Sequence, residues 1–176
     1  MVIAPDKIKE LREETGAGVM ACKKALEETK GDIAKAKELL KKKGLEIAAK
    51  KASRTASQGR VVSYIHHNHK IGSLVEVNCE TDFVAKNEDF TKFCKDLVMH
   101  IVAANPLFLD KAEVKKDDIP EKEKPEDFYK RTCLLQQPFI RDDKLIIGDY
   151  LNSLIAKTGE NVVIRRFVRF VVGESI

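Results

Sequence analysis

The chain has 176 residues, 34% charged and 43% apolar, with a formal net charge of +4. That length holds one ordinary domain or two small ones around a real core, and the composition is that of a globular protein with a heavily charged surface. No apolar run approaches the ~20 residues that span a bilayer, and so mild a positive balance falls short of the basic stripe of a dedicated DNA binder.

The first 52 residues read as three short helices punctuated by glycine. "PDKIKELREETG" has a proline near its start, places Ile8 and Leu11 three apart, and ends at Gly16. "VMACKKALEETKG" puts Cys22, Ala25, Leu26 and Thr29 on one face and stops at Gly31. "DIAKAKELLKKKG" has Asp32 as N-cap, buries Ile33, Ala36, Leu39 and Leu40, and is expected to stop at Gly44. Helices this short are marginal alone, so they must pack on one another. Lys41, Lys42 and Lys43 then fall at a helix C-terminus, where cations offset the dipole.

Residues 53–59, within the small and polar "KKASRTASQG", form a linker. Beyond it the hydrophobic period changes from helical to alternating. "RVVSYIH" and "IGSLVEVN" flank the turn "HNHK" and predict a β-hairpin. The three histidines of "HHNH" (His66, His67, His69) raise the question of zinc. No cysteine or carboxylate follows at ligand spacing, and a polar turn is the better reading.

The apolar run then stops at "NCETDFVAKNEDF", residues 78–90, which sets Asp82 beside Phe83 at an exposed corner. Phenylalanine favours burial, so a ring there needs a hidden pocket or a partner. The next helix is the clearest in the chain, with Phe90, Phe93, Cys94, Leu97, Val98, Ile101 and Val102 on one stripe that covers a sheet. Asn105-Pro106 ends it. Residues 110–127 are a charged, exposed connection with two prolines. "KLIIGDYLNSLIAKTG" predicts an amphipathic helix through Ile147, Leu151, Leu154 and Ile155, and "ENVVIRRFVRFVVGE" a strand that completes the sheet. The fold class is α+β: a helical domain at 1–52, the linker, and at 60–176 an α+β core with a mainly antiparallel sheet packed by helices.

Cys22, Cys79, Cys94 and Cys133 are scattered, form no CxxC pair and read as buried free thiols in a reducing compartment. The start "MVIAPDKIKEL" lacks the basic and apolar regions of a secretory signal, and the expected location is cytoplasmic. No GxSxG, HExxH or kinase signature occurs. "TGAGVMACKK" has the wrong spacing for a phosphate loop and follows no strand, and the close acids Glu80 and Asp82 lack the cleft that acid–base work needs. An RNA-binding α+β module is the rival reading, through a sheet bearing Arg165, Arg166, Phe167, Arg169 and Phe170. The basic-Gly-aromatic signature of such sheets is absent. A third reading is a protein-interaction module in which the helical bundle and the corner engage a partner.

Three stretches decide among these. "LREETGAGVMACKKALEETKGDIAKA" (11–36), "LVEVNCETDFVAKNEDF" (74–90) and "QQPFIRDDK…GENVVIRRFVRFVVGE" (136–174) closely resemble the bacterial elongation factor Ts family, in the right order and across nearly the whole chain. The resemblance implies an exchange factor without covalent chemistry for the GTPase elongation factor Tu, built from a ubiquitin-associated-like three-helix domain and an α+β core. It implies that Arg12, Val19, Met20 and Lys23 contact the partner; Val19 is often methionine in that family. It implies that Thr81, Asp82, Phe83 and Val84 intrude beside the partner's nucleotide site and dislodge its Mg²⁺. No cofactor or metal of its own, no direct nucleic-acid contact and no membrane are expected. The long form's second core subdomain and coiled coil are missing, so the chain resembles the short form, whose usual state is a homodimer. A helical stretch common before "QQPF" is missing too: either the chain is abbreviated there or a segment lies outside this sequence.

Overall fold

The computed structural model describes residues 3–174. It divides into two compact units, residues through Thr55 joined by Leu151–Asn161, and Ala56–Tyr150 joined by Val162 onward. The second unit is interrupted in sequence by the segment Leu151–Asn161.

In the first unit α1 (Pro5–Thr15), α2 (Val19–Glu28) and α3 (Ile33–Lys51) pack mutually. Gly16 ends α1 in the left-handed region, φ 66°, with its N–H donating to the Arg12 carbonyl at 2.8 Å. Leu11, Cys22, Ala25, Leu26 and Ala36 are fully buried, with Ile8, Ile33, Leu39 and Leu40 packed around them. Asp32 caps α3 by accepting from the Lys35 N–H at 3.1 Å.

The expected stop at Gly44 does not occur. α3 runs through it to Lys51, and Gly44 is buried, with a Cβ direction pointing 3.8 Å from the Asn152 carbonyl oxygen. Burial of that face offsets the roughly 1 kcal/mol that glycine costs inside a helix. Lys41, Lys42 and Lys43 therefore lie mid-helix, and the dipole does not explain them. Lys43 instead pairs with Glu28 at 2.7 Å, and Lys37 pairs with Glu14.

The second unit holds a three-stranded antiparallel sheet in the order β1 (Gln58–Ile65), β2 (Ile71–Cys79), β5 (Val162–Val171). α5 (Glu88–Ala104) covers one face through Phe90, Phe93, Cys94, Leu97, Val98 and Ile101, against Val75, Val77, Cys79, Val162 and Ile164. The pairing Val61–Glu76–Arg166 and Leu74–Val168 puts the alternate residues on the other face. A bulge between Glu76 and Val77 interrupts the β2–β5 register.

Residues 110–124 are irregular, with two short 3₁₀ turns, and α6 (Pro125–Thr132) starts just before the expected end of the connection. β3 (Pro138–Phe139) and β4 (Asp142–Ile146) pair as a small second hairpin. "KLIIG" thus begins as strand, and α7 spans only Ile147–Thr158. Gln137 holds this region in place: its Nε2 donates to the Arg131 carbonyl at 2.7 Å, and its Oε1 meets His100 Nε2 at 3.0 Å. The four cysteines are buried thiols, and no described helix is long and apolar enough to cross a membrane.

Candidate functional site

The corner between β2 and α5 is built by two successive caps. Thr81, in extended backbone, ends the sheet, and its hydroxyl accepts from the Val84 N–H at 3.4 Å to start α4 (Asp82–Lys86). Its carbonyl also receives the Cys79 thiol at 3.1 Å and the Ala85 N–H at 3.2 Å. One turn later Asn87 closes α4 and opens α5, its side chain accepting from the Asp89 N–H at 2.8 Å. Two helix starts within seven residues fix the backbone of the corner from both sides.

Anchoring and display divide along α4. Ala85 is buried and Val84 half-buried, which seats the turn against β1, β2 and α5. Phe83 points away: 81% of it is exposed, while Phe90 and Phe93 have no exposed surface. An exposed phenylalanine on so well-braced a turn is a surface for something else.

Asp82 is not idle in the free chain. Lys86 donates to its carboxylate at 2.6 Å across one helical turn, and that hydrogen bond holds the acid below the usual carboxylate range. Lys86 was not among the residues singled out from the sequence, although its i,i+4 spacing from Asp82 was a readable signal.

The other predicted residues lie in the first unit. Arg12 is in the last turn of α1, and Val19, Met20 and Lys23 occupy the start of α2, on either side of the Gly16–Gly18 turn. Val19 is 50% and Met20 63% exposed, while Cys22, Ala25 and Leu26 fill the buried face of the same helix. Lys23 has only a loose contact with Glu27, at 4.0 Å, and Arg12 is exposed.

Two of the five residues that suggested RNA binding have partners within the chain. Arg166 pairs with Glu76 at 2.7 Å, and Arg169 donates to the Val102 carbonyl at 3.2 Å and reaches Glu174 at 3.5 Å. Phe167 and Phe170 face opposite sides of the sheet, opposite Val75 and Gly72 respectively. In the hairpin turn, His66 Nδ1 lies 3.3 Å from the Tyr64 hydroxyl. Among the described residues no cluster of three His, Cys, Asp or Glu side chains could hold a metal.

A family model for elongation factor Ts matches residues 8–126. The chain belongs to the elongation factor Ts family. It is 49% identical to elongation factor Ts of Caldanaerobacter subterraneus subsp. tengcongensis over 199 aligned positions, covering 99% of each protein. It is 50% identical to that of Desulforamulus reducens, over 99% of the chain and 91% of the relative. To that of Anaeromyxobacter sp. (strain Fw109-5) it is 48% identical, over 96% of the chain and 88% of the relative. The 199 positions aligned with the first relative exceed the 176 residues of the chain, so at least 23 of them face gaps in this chain. Membership implies nucleotide exchange on elongation factor Tu in translation elongation, an activity that makes and breaks no covalent bond.

Proposed function

We propose that this chain binds elongation factor Tu in its GDP form and promotes GDP release by disturbing the partner's Mg²⁺ and phosphate site, after which GTP reloads. The observation that carries this reading is Phe83, 81% exposed at a corner capped from both sides. A rigid turn inserts its ring without first paying to order a loop. Thr81 keeps the turn closed, Val84 seats it, and Asp82 accepts hydrogen bonds from the partner's donors once Lys86 shares it. Arg12, Val19, Met20 and Lys23 form a separate docking patch, with Val19 and Met20 supplying apolar contact and the two cations orienting it.

The energetics follow from linkage. If the chain binds the empty GTPase more tightly than the GDP form, GDP weakens its binding by the same factor. Burying one phenylalanine yields about 1.5–3 kcal/mol. Larger couplings need the wider interface to press the ring home.

The second unit also carries an apolar sheet face turned away from α5. Val61, Ile65, Leu74, Val168 and Phe170 lie on it by register and are all at least 40% exposed. We assign this face to a homodimer contact between two copies in the cytoplasm, with neither copy binding nucleic acid or membrane. The exchange reading is tested by calorimetric binding to elongation factor Tu with and without GDP. Markedly tighter binding to the empty form is expected. Equal affinity for the two forms would remove the driving force for exchange.

A further inference from the structure

An open groove of about 530 Å³ runs along α5 in the second unit, lined by Thr91, Lys92, Lys95 and Met99, with Lys86 at the end of α4 and Arg141 in the β3–β4 turn. Its charge is organised around one acid. Asp96, with a side chain only 4% exposed, accepts from Arg141 Nη1 at 3.0 Å, Lys92 Nζ at 3.1 Å and the Tyr150 hydroxyl at 3.0 Å. The hydroxyl stays protonated, since burial first and the neighbouring Asp96 second push the Tyr150 phenol up to about 12. Two cations therefore share a single carboxylate, and the cluster keeps a surplus positive charge.

That surplus faces water. Lys92 is 71% and Arg141 58% exposed even though Asp96 tethers both. Lys95 is exposed and has no acidic partner among the described residues, and Glu88 is the only other acid in the lining. Tethered cations lose less side-chain freedom on binding than free ones, so the groove is prepared for a negative ligand. The lining holds no aromatic ring on which a base could stack. Its apolar part is the thioether of Met99 and the methyl of Thr91, surfaces that adapt to side chains. Lys86 lies three residues beyond Phe83, so the groove begins where the corner ends.

We propose that this groove receives an acidic segment of elongation factor Tu, with carboxylates spaced along one face meeting Lys92, Lys95 and Arg141. The inference rests on the exchange reading above. Contacts of this kind act on encounter more than on final affinity, because complementary charge raises the association rate and is screened by salt.

The test compares the full-length chain with its Lys95→Glu, Lys95→Gln and Lys95→Arg variants. Stopped-flow association with GDP-bound elongation factor Tu is measured from about 50 to 500 mM KCl, spanning weak to strong screening. Lys95→Glu should slow association about threefold to tenfold at the lowest salt, with Lys95→Gln intermediate, Lys95→Arg close to the parent, and all curves converging at high salt. Unfolding midpoints should agree among the four proteins. If the Lys95→Glu curve superimposes on the parent at every salt concentration, the groove assignment is wrong. It is equally overturned if Lys95→Glu leaves association intact but abolishes binding to single-stranded RNA. Failure of the parent to accelerate GDP release would instead remove the exchange reading, which these association curves do not measure.

Discussion

Phe83→Ala separates display from packing. The ring is 81% exposed, so only about a fifth of its surface is withdrawn from water in the free chain. At about 1.5–3 kcal/mol for complete burial, truncation should cost at most about 0.6 kcal/mol of stability. Covering the remaining surface in a complex is worth about 1.2–2.4 kcal/mol, and its loss should slow catalysed GDP release by a factor of about 8 to 60. Phe90→Ala and Phe93→Ala are the controls, since both rings are fully buried. Each should cost about 3–5 kcal/mol of stability while the folded fraction exchanges at the parental rate. The assay follows fluorescent GDP leaving elongation factor Tu and the unfolding midpoint on the same preparations. A Phe83→Ala protein that unfolds many degrees early yet exchanges normally when folded would place the ring in the core and refute the reasoning.

His100 supplies a pH test. It is fully buried, its Nδ1 lies 3.4 Å from the Ile140 N–H and its Nε2 meets Gln137, and burial, opposed by the Gln137 hydrogen bond, lowers its pKa. Because the folded pKa lies below the unfolded value of about 6.5, its contribution is complete above that pH and is lost as pH falls toward the folded value; unfolding midpoints should decline through that window, and His100→Gln should flatten the decline. Burial pushes the Cys94 thiol up to about 12, and Cys22, Cys79 and Cys133 are buried as well, so a thiol reagent at pH 8 should label the native chain far more slowly than the denatured chain. Rapid labelling of the native chain would contradict that burial. Light scattering at micromolar concentration should give twice the chain mass, and Phe170→Asp on the exposed sheet face should give the monomer mass with an unchanged fold; a parent that stays monomeric throughout would remove the dimer.

Much of this architecture is legible in periodicity. The stripe from Phe90 to Ile101 demands a sheet beneath it, and the alternation in "SLVEV" supplies its central strand. Local signals also gave Gly16 and Asp32 as helix ends. Gly44 misled because a stop signal is local, whereas the burial that carries α3 past it comes from Asn152, more than a hundred residues away. The β3–β4 hairpin was hidden for a similar reason. "DDKLI" has no pronounced alternation, and the segment before it is anchored by Gln137, whose side chain donates to the Ala104 and Arg131 carbonyls, contacts that no local pattern reveals.

At the corner, the clash between an apolar ring and a polar setting made Phe83 visible in the sequence. The engagement of Asp82 by Lys86 is a matter of rotamers, and Asp96 gave no signal at all. A lone acid inside an apolar helical stripe reads as a solvent-facing residue, until Arg141 and Tyr150 are brought to it from 45 and 54 positions along the chain.

The most direct measurement is the dissociation rate of labelled GDP from elongation factor Tu, chased with excess unlabelled nucleotide, with this chain present at substoichiometric amounts. The account predicts that every GTPase molecule loses its label faster than its spontaneous rate, that the acceleration grows with the amount of chain, and that excess Mg²⁺ opposes it. A release rate that does not change at any concentration of the chain would contradict the account at its centre.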